Sequence, residues 1–221
     1  MVELAVGALW AFVAWQFFNA HPVPNFSDFH YSVDLADSVA LVIFLWLLVA
    51  LAVFDAENLW LPDRLLWPGI GLGLVVAVTR ATLDGLFNEG GGFEVLKHMI
   101  ASGVVMYWFP SAVFSAAVLL VIRWLYHIIR DQEGIGWGDV KLMAMLGGWI
   151  GVKGALLSLA LGVLAGAAFA LFLLASPSVR GSKRGWKAKK LPFGTFICLG
   201  AVVSGLWGQA IIGNYMNWAG F

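Results

Sequence analysis

Asp139 stands in Gly136-Trp137-Gly138-Asp139 and opens the apolar run Val140 to Gly151, while Asp55 closes the apolar run Ser38 to Phe54. Ionisable groups at the edges of long hydrophobic segments are expensive to keep and are by default candidates for chemistry. An aspartate at the centre of a membrane helix costs about 2.5 to 3.5 kcal/mol on insertion scales, less near the interface, and two at one level also repel. Such a pair should share a proton, so that one carboxylate activates a water while its protonated partner polarises a peptide carbonyl. This is the chemistry of an aspartic protease. Gly136 and Gly138 suit it, because a residue without Cβ lets a substrate backbone come close to the neighbouring acid.

Each acid also has a structural reading. Asp139 can cap the helix it opens, accepting orphan N–H bonds at the positive end of the dipole. Asp55 can be a solvated interfacial residue. Asp63, following Pro62 at the start of a helix, reads as a first-turn dipole partner rather than a catalyst.

The elements that must position these acids are set by composition. With 61% hydrophobic and 12% charged residues, and several long apolar runs, the chain exceeds what a soluble domain of 221 residues buries. The runs do not alternate with period two, which excludes a barrel and leaves an all-α, polytopic integral membrane bundle. Apolar runs and their breakers predict seven transmembrane helices near 2–19, 38–54, 65–83, 111–130, 139–152, 154–175 and 193–213. The fifth is short for a crossing. The stretch from Val95 to Arg130 is too long for one span, and Pro110 is expected to break it, leaving an interfacial or separate helix before it. The run Val2 to Phe18 leads to His21-Pro22-Val23-Pro24 and not to a small-residue cleavage site, so it reads as a first span. The whole of 1–221 reads as one membrane-embedded domain, with a basic cytoplasmic loop at 177–192.

Orientation follows from Lys and Arg. With the start of the chain inside, Arg64, Arg123, Arg130, Lys141 and the basic run Arg180 to Lys190 are cytoplasmic, against Arg80, Lys97 and Lys153 outside. The 20–37 loop, with Asp28, Asp34 and Asp37 and no Lys or Arg, is then external. Asp55, Asp63, Asp131, Glu133 and Asp139 all fall on the cytoplasmic side, although Asp55 and Asp139 are far apart in the chain. The basic run beside a span marks the inner surface and meets anionic lipid, and nucleic-acid binding is not expected. Cys198, the single cysteine, permits neither a disulfide nor a cysteine-ligated metal site within this chain. No metal or cofactor is assigned, and His127, near Arg123 and Tyr126, reads as interfacial. Glycines at 147, 148, 151, 154, 162, 166, 200, 205 and 208 are expected to permit close helix packing.

Three ordered motifs add to this reading: Phe54-Asp55-Ala56-Glu57-Asn58-Leu59-Trp60-Leu61-Pro62-Asp63, Gly134-Ile135-Gly136-Trp137-Gly138-Asp139-Val140-Lys141-Leu142, and Leu191-Pro192-Phe193-Gly194. Together they resemble the type IV prepilin peptidases. The resemblance implies an intramembrane aspartyl protease of the GxGD type, with Asp55 and Asp139 as the catalytic pair and Asp63 in a supporting role. Lys141, Pro192, Phe193 and Gly194 also match and would shape the site. The implied substrate is a prepilin or pseudopilin whose short basic leader ends in Gly on the cytoplasmic side of a bacterial inner membrane. Charge complementarity suggests that Glu57, Asp131 and Glu133 attract that leader and that Lys141 meets a substrate acid. The solvated loop charge is the alternative for each.

The family's long form carries a cytoplasmic domain with paired cysteines and methylates the new amino terminus using S-adenosylmethionine. No such segment stands in this sequence, so the chain reads as either a naturally short member or a trimmed one, and methyl transfer is not assigned. Glu3 matches a family acid but also reads as a first-turn Glu. Two other classes stay open: a proton-coupled carrier, whose acids lie near the midplane within internal repeats not visible here, and a scaffold that holds pilins without cutting them.

Overall fold

The structure, a computed structural model, describes residues 2–20, 29–88, 107–130, 136–175 and 192–220. The basic run 180–190, Asp28, Lys97, Asp131, Glu133 and the 95–106 stretch lie outside the described residues. All regular structure among the described residues is helical: α1 (Val2–Ala20), α2 (Phe29–Asn58), α3 (Asp63–Asn88), α4 (Phe109–Arg130), α5 (Trp137–Ala175) and α6 (Phe193–Ala219). All six are long and apolar enough to cross a membrane. The polytopic helical bundle expected from composition is therefore present.

The expected fifth and sixth spans are joined in α5. A straight helix of 39 residues would rise about 58 Å, nearly twice the roughly 30 Å of hydrocarbon in a bilayer. It does not run straight. Gly151 has φ 71° and ψ 173°, a region open essentially to glycine alone. Packing gives the direction of each arm. The first arm runs alongside α3, with Lys141 meeting Asp63, Gly69 against Met145, and Gly73 against Trp149. The second arm runs against α6: Gly154 meets Ser204, Gly162 meets Ile197 and Gly166 meets Phe196. As numbers rise along that arm, they fall along α6, towards the end that holds Asp55 and Gly194. The chain thus reverses at one residue, and no loop separates the two expected spans.

Two other expectations are adjusted. Helix α2 begins at Phe29, so Asp34 and Asp37 ride on its early turns and do not belong to an external loop. Asp37 pairs there with Arg80 of α3, which the sequence had assigned to the same face. The rise from Asp37 to Asp55 is about 27 Å at about 1.5 Å per residue, close to the roughly 30 Å thickness of a bilayer's hydrocarbon. Pro110 sits in the first turn of α4, where its missing N–H has no helical partner to lose; it helps to start that helix.

Hydrophobicity cannot drive helices together in lipid, where tails are as apolar as leucine, so close packing and interhelical hydrogen bonds must do it. Glycines supply the approach: Gly147 lies on the Ser111 carbonyl of α4, and Gly200 on the Ser158 carbonyl of α5. The carbonyl of Gly154 accepts from Ser158 Oγ at 2.8 Å and from Ser204 Oγ at 2.9 Å, tying the second arm of α5 to α6. Phe44, Leu48, Leu51, Leu66, Leu142 and Ile197 fill the centre.

Gly71 and Gly151 both have open space where a methyl would go, but Gly71 is helical and Gly151 is not. Gly151→Ala is expected to destabilise the fold by about 1–3 kcal/mol through backbone strain alone. Gly71→Ala should be neutral, or stabilising by about 0.5–1 kcal/mol. Thermal midpoints in one detergent check the pair; equal midpoints would remove the turn at Gly151.

Candidate active site

Asp55 lies near the end of α2, buried to 5% exposure. That end is closed by an unusual residue: Leu59 has φ 54° and donates its N–H to the Asp55 carbonyl at 2.8 Å. This is the left-handed cap that glycine usually provides, and it turns the chain towards Pro62. Across the bundle, α6 starts at Pro192, whose side chain offers no capping hydrogen bond. An early N–H of that helix therefore needs an outside acceptor. The carboxyl of Asp55 supplies it, its Oδ2 accepting the Thr195 N–H at 2.6 Å. Thr195 Oγ1 lies 3.1 Å from the same oxygen and 3.0 Å from the Ala52 carbonyl, and its one proton serves one of them at a time. Gly194 makes room, since a Cβ there would come within 3.0 Å of Asp55 Oδ2.

Asp139 is in the first turn of α5 and is 9% exposed. Its Oδ2 accepts the Gly136 N–H at 3.2 Å, the returning half of a capping box. The capping reading and the chemical one are thus compatible, because one oxygen suffices for the cap. The two carboxyls lie near enough to interact electrostatically. Each is set on a helix N-terminus, Asp139 on its own helix and Asp55 on α6, where the dipole favours an anion by about 0.3–1 kcal/mol.

The start of α5 is pinned from two sides. Lys141 Nζ contacts both oxygens of Asp63 at 2.7 and 2.8 Å, joining α5 to α3, and lies 6.0 Å from the Trp67 ring centroid. Arg123 of α4 stands over the Trp137 ring at 4.6 Å. Asp63 lies in the first turn of α3 and pairs with Lys141, so a substrate acid would have to compete for Lys141 with a partner already in place. Glu57 is exposed on the last turn of α2, two residues beyond Asp55 and so on a different side of the helix. Pro192 and Phe193 form the entry to α6, with Phe193 packed on the core.

Gly138 faces inward, against Leu61, and does not border open space; a Cβ there would come within 3.0 Å of Leu61 Cβ. Gly136 is exposed, and a Cβ there would lie 3.4 Å from Asp139 Oδ2. Two residues at this site escape sequence reasoning. Thr195 follows the Leu-Pro-Phe-Gly motif at a first-turn position, which signals an orphan donor but not its acceptor. Leu61 stands within the first motif, but an apolar side chain there does not signal which backbone it packs against. A cavity of about 1020 Å³ opens at the other end of the bundle, bordered by Asp37, Arg80, Trp108 and Lys153, and includes neither Asp55 nor Asp139.

A family model described as the type IV leader peptidase family matches residues 42–171. A Pseudomonas aeruginosa protein named prepilin leader peptidase/N-methyltransferase is 30% identical over 221 residues, covering 100% of this chain and 62% of its own. Proteins of the same name from Stutzerimonas stutzeri and Dichelobacter nodosus are 28% and 31% identical, covering 99% and 96% of this chain. The chain spans 62% and 58% of those two relatives. No solved structure matches.

Because the Lys141–Asp63 pair is partly exposed, a double-mutant cycle of Lys141→Met and Asp63→Asn should give a coupling of only about 0.2–1 kcal/mol. Thermal midpoints of the four proteins in detergent measure it, and strictly additive losses would mean that the pair does not hold α5.

Proposed function

Since this chain belongs to the type IV leader peptidase family, we propose that it is an intramembrane aspartyl endopeptidase that removes the basic leader from a prepilin or pseudopilin. The observation that carries this reading is the meeting of two buried carboxyls, Asp55 and Asp139, at one end of the bundle on two helix N-termini. The reading requires the pair to hold one proton between them, as the two carboxyls of an aspartic protease do.

That state is the reactive one. The ionised carboxylate takes a proton from a water as its oxygen bonds to the scissile carbonyl carbon, and the protonated partner gives its proton to the carbonyl oxygen. Collapse of the tetrahedral species breaks the C–N bond, with the leaving amine taking a proton from the pair. Asp55 and Asp139 are the catalytic residues. Thr195, Gly194 and Pro192 orient Asp55, while Gly136, Gly138 and the Asp63–Lys141 pair orient Asp139. Phe193 anchors the start of α6.

Excess Lys and Arg at the acid-bearing end support a site facing the cytoplasm of a bacterial inner membrane. Exposed Glu57, with Asp131 and Glu133 outside the described residues, would draw in a basic leader. Residues 1–221 act here as one membrane-embedded unit.

The test incubates the purified chain in detergent with a prepilin and follows leader removal. Asp55→Asn and Asp139→Asn should each lower the rate by about 10²–10⁴-fold while the thermal midpoint holds. Cleavage surviving either change overturns the reading. Gly194→Ala, whose methyl would press on Asp55 Oδ2, should lower kcat by up to about 10²-fold through misplacement of the acid.

A further inference from the structure

We infer that Thr195 makes the two acids unequal: its N–H and its hydroxyl, both set on Oδ2 of Asp55, make Asp55 the carboxylate that takes the water's proton and leave Asp139 to hold the proton that the carbonyl oxygen receives. The inference rests on the peptidase reading above, which leaves the two roles unassigned. The N–H lies 2.6 Å and the hydroxyl 3.1 Å from that oxygen. Asp139 has one donor among the described residues, the Gly136 N–H, at 3.2 Å. An ionised carboxylate only accepts hydrogen bonds, and each donor set on it favours the charged form. Helix dipoles do not reverse this. Asp139 stands at the start of its own helix, while Asp55 faces the start of α6 but rides near the end of α2, where the dipole disfavours an anion. The dipole at a helix end is weaker than one hydrogen bond to a charged group.

The hydroxyl is placed to follow the proton. It stands between Asp55 Oδ2 and the Ala52 carbonyl, at 3.1 and 3.0 Å. While Asp55 is ionised, the hydroxyl proton serves the carboxylate; once Asp55 has taken a proton, it turns to the carbonyl, so the hydroxyl keeps an acceptor throughout. Oδ1 of Asp55 carries no donor among the described residues and is the atom that receives the water's proton. As the water's oxygen bonds to the scissile carbonyl carbon, Asp55 Oδ1 takes one water proton and the carbonyl oxygen takes the proton of Asp139. On collapse the C–N bond breaks, Asp55 gives its proton to the leaving nitrogen, and Asp139 recovers one from a hydroxyl of the tetrahedral carbon. The pair ends as it began. Among the described residues, the titratable groups that act on Asp55 are Asp139 of α5 and the Cys198 thiol of α6. From α3, Asp63 is engaged by Lys141 and Arg64 is exposed, as are Glu57 on α2 and Glu3 on α1.

The test records kcat and KM against pH for leader removal from one prepilin, using the full chain in detergent. In kcat/KM the acid limb reports the first ionisation of the pair and the alkaline limb the second. Thr195→Val keeps the shape and the N–H but removes the hydroxyl, so the charge settles on Asp139 in part of the molecules. It should lower kcat by about 3–10-fold at little change in KM, and move the acid limb to higher pH by about 1 unit with the alkaline limb in place. Thr195→Ser should restore both. The limbs do not depend on the fraction folded, and Thr195→Ala repeats the test should Thr195→Val lose its fold. An alkaline limb that moves while the acid limb stays reverses the two roles and overturns the inference. Limbs that both stay, or both move, also overturn it, as does a serine variant that behaves like valine. Loss of all cleavage in the valine and alanine variants makes Thr195 a structural support only and overturns it too. In each of these cases wild type still cuts and the peptidase reading stands. Wild type failing to cut the prepilin instead overturns that reading, and the inference with it.

Discussion

The hydrogen bond from the Thr195 N–H to Asp55 Oδ2 joins the end of one helix to the beginning of another. It answers two needs at once. An N-cap proline leaves α6 without a side-chain cap, and a buried carboxyl requires a donor. Neither need is met within its own segment. The Pro192-Phe193-Gly194 turn is shaped by this bond, since a side chain at Gly194 would stand where the carboxyl must lie. The reversal of α5 at Gly151 serves the same end: its second arm lies along α6 and fixes the depth at which Thr195 meets Asp55.

Asp139 is held by a different means. It caps its own helix, and that helix is fixed from outside by Asp63 through Lys141 and by Arg123 through Trp137. One acid is thus positioned by a neighbour's backbone and the other by its own, with Leu61 between the two helix starts. Such an arrangement needs little flexibility in the carboxyls and places the strain elsewhere. Leu59, left-handed without being glycine, carries a cost of about 1–2 kcal/mol next to the site.

Much of this was legible in the residues. Asp55 and Asp139 stood out because a charge at the edge of an apolar run has few bland explanations, and the Lys and Arg bias put them on one face. Asp63 was legible as a first-turn residue, and the glycines of α5 and α6 as close contacts. The reversal inside α5 was half visible: the short fifth span betrayed a problem of length, but glycine at 151 looked like any other in a glycine-rich stretch. The partner of Lys141 was hidden because it comes from α3. Gly138 was given to the substrate because nothing in the chain order brings Leu61 to it.

By itself the sequence determined the helical membrane class and singled out Asp55 and Asp139 as acids at the ends of apolar runs, because run length, charge bias and motif order are properties of the chain read in order. Only the tertiary structure decided which donor holds Asp55, which carboxylate holds Lys141 and what packs against Gly138 and Gly194. Those are pairings between helices, made by side chains of ordinary type such as Thr195 and Leu61. Their meaning lies in the approach of backbones that sequence distance does not encode.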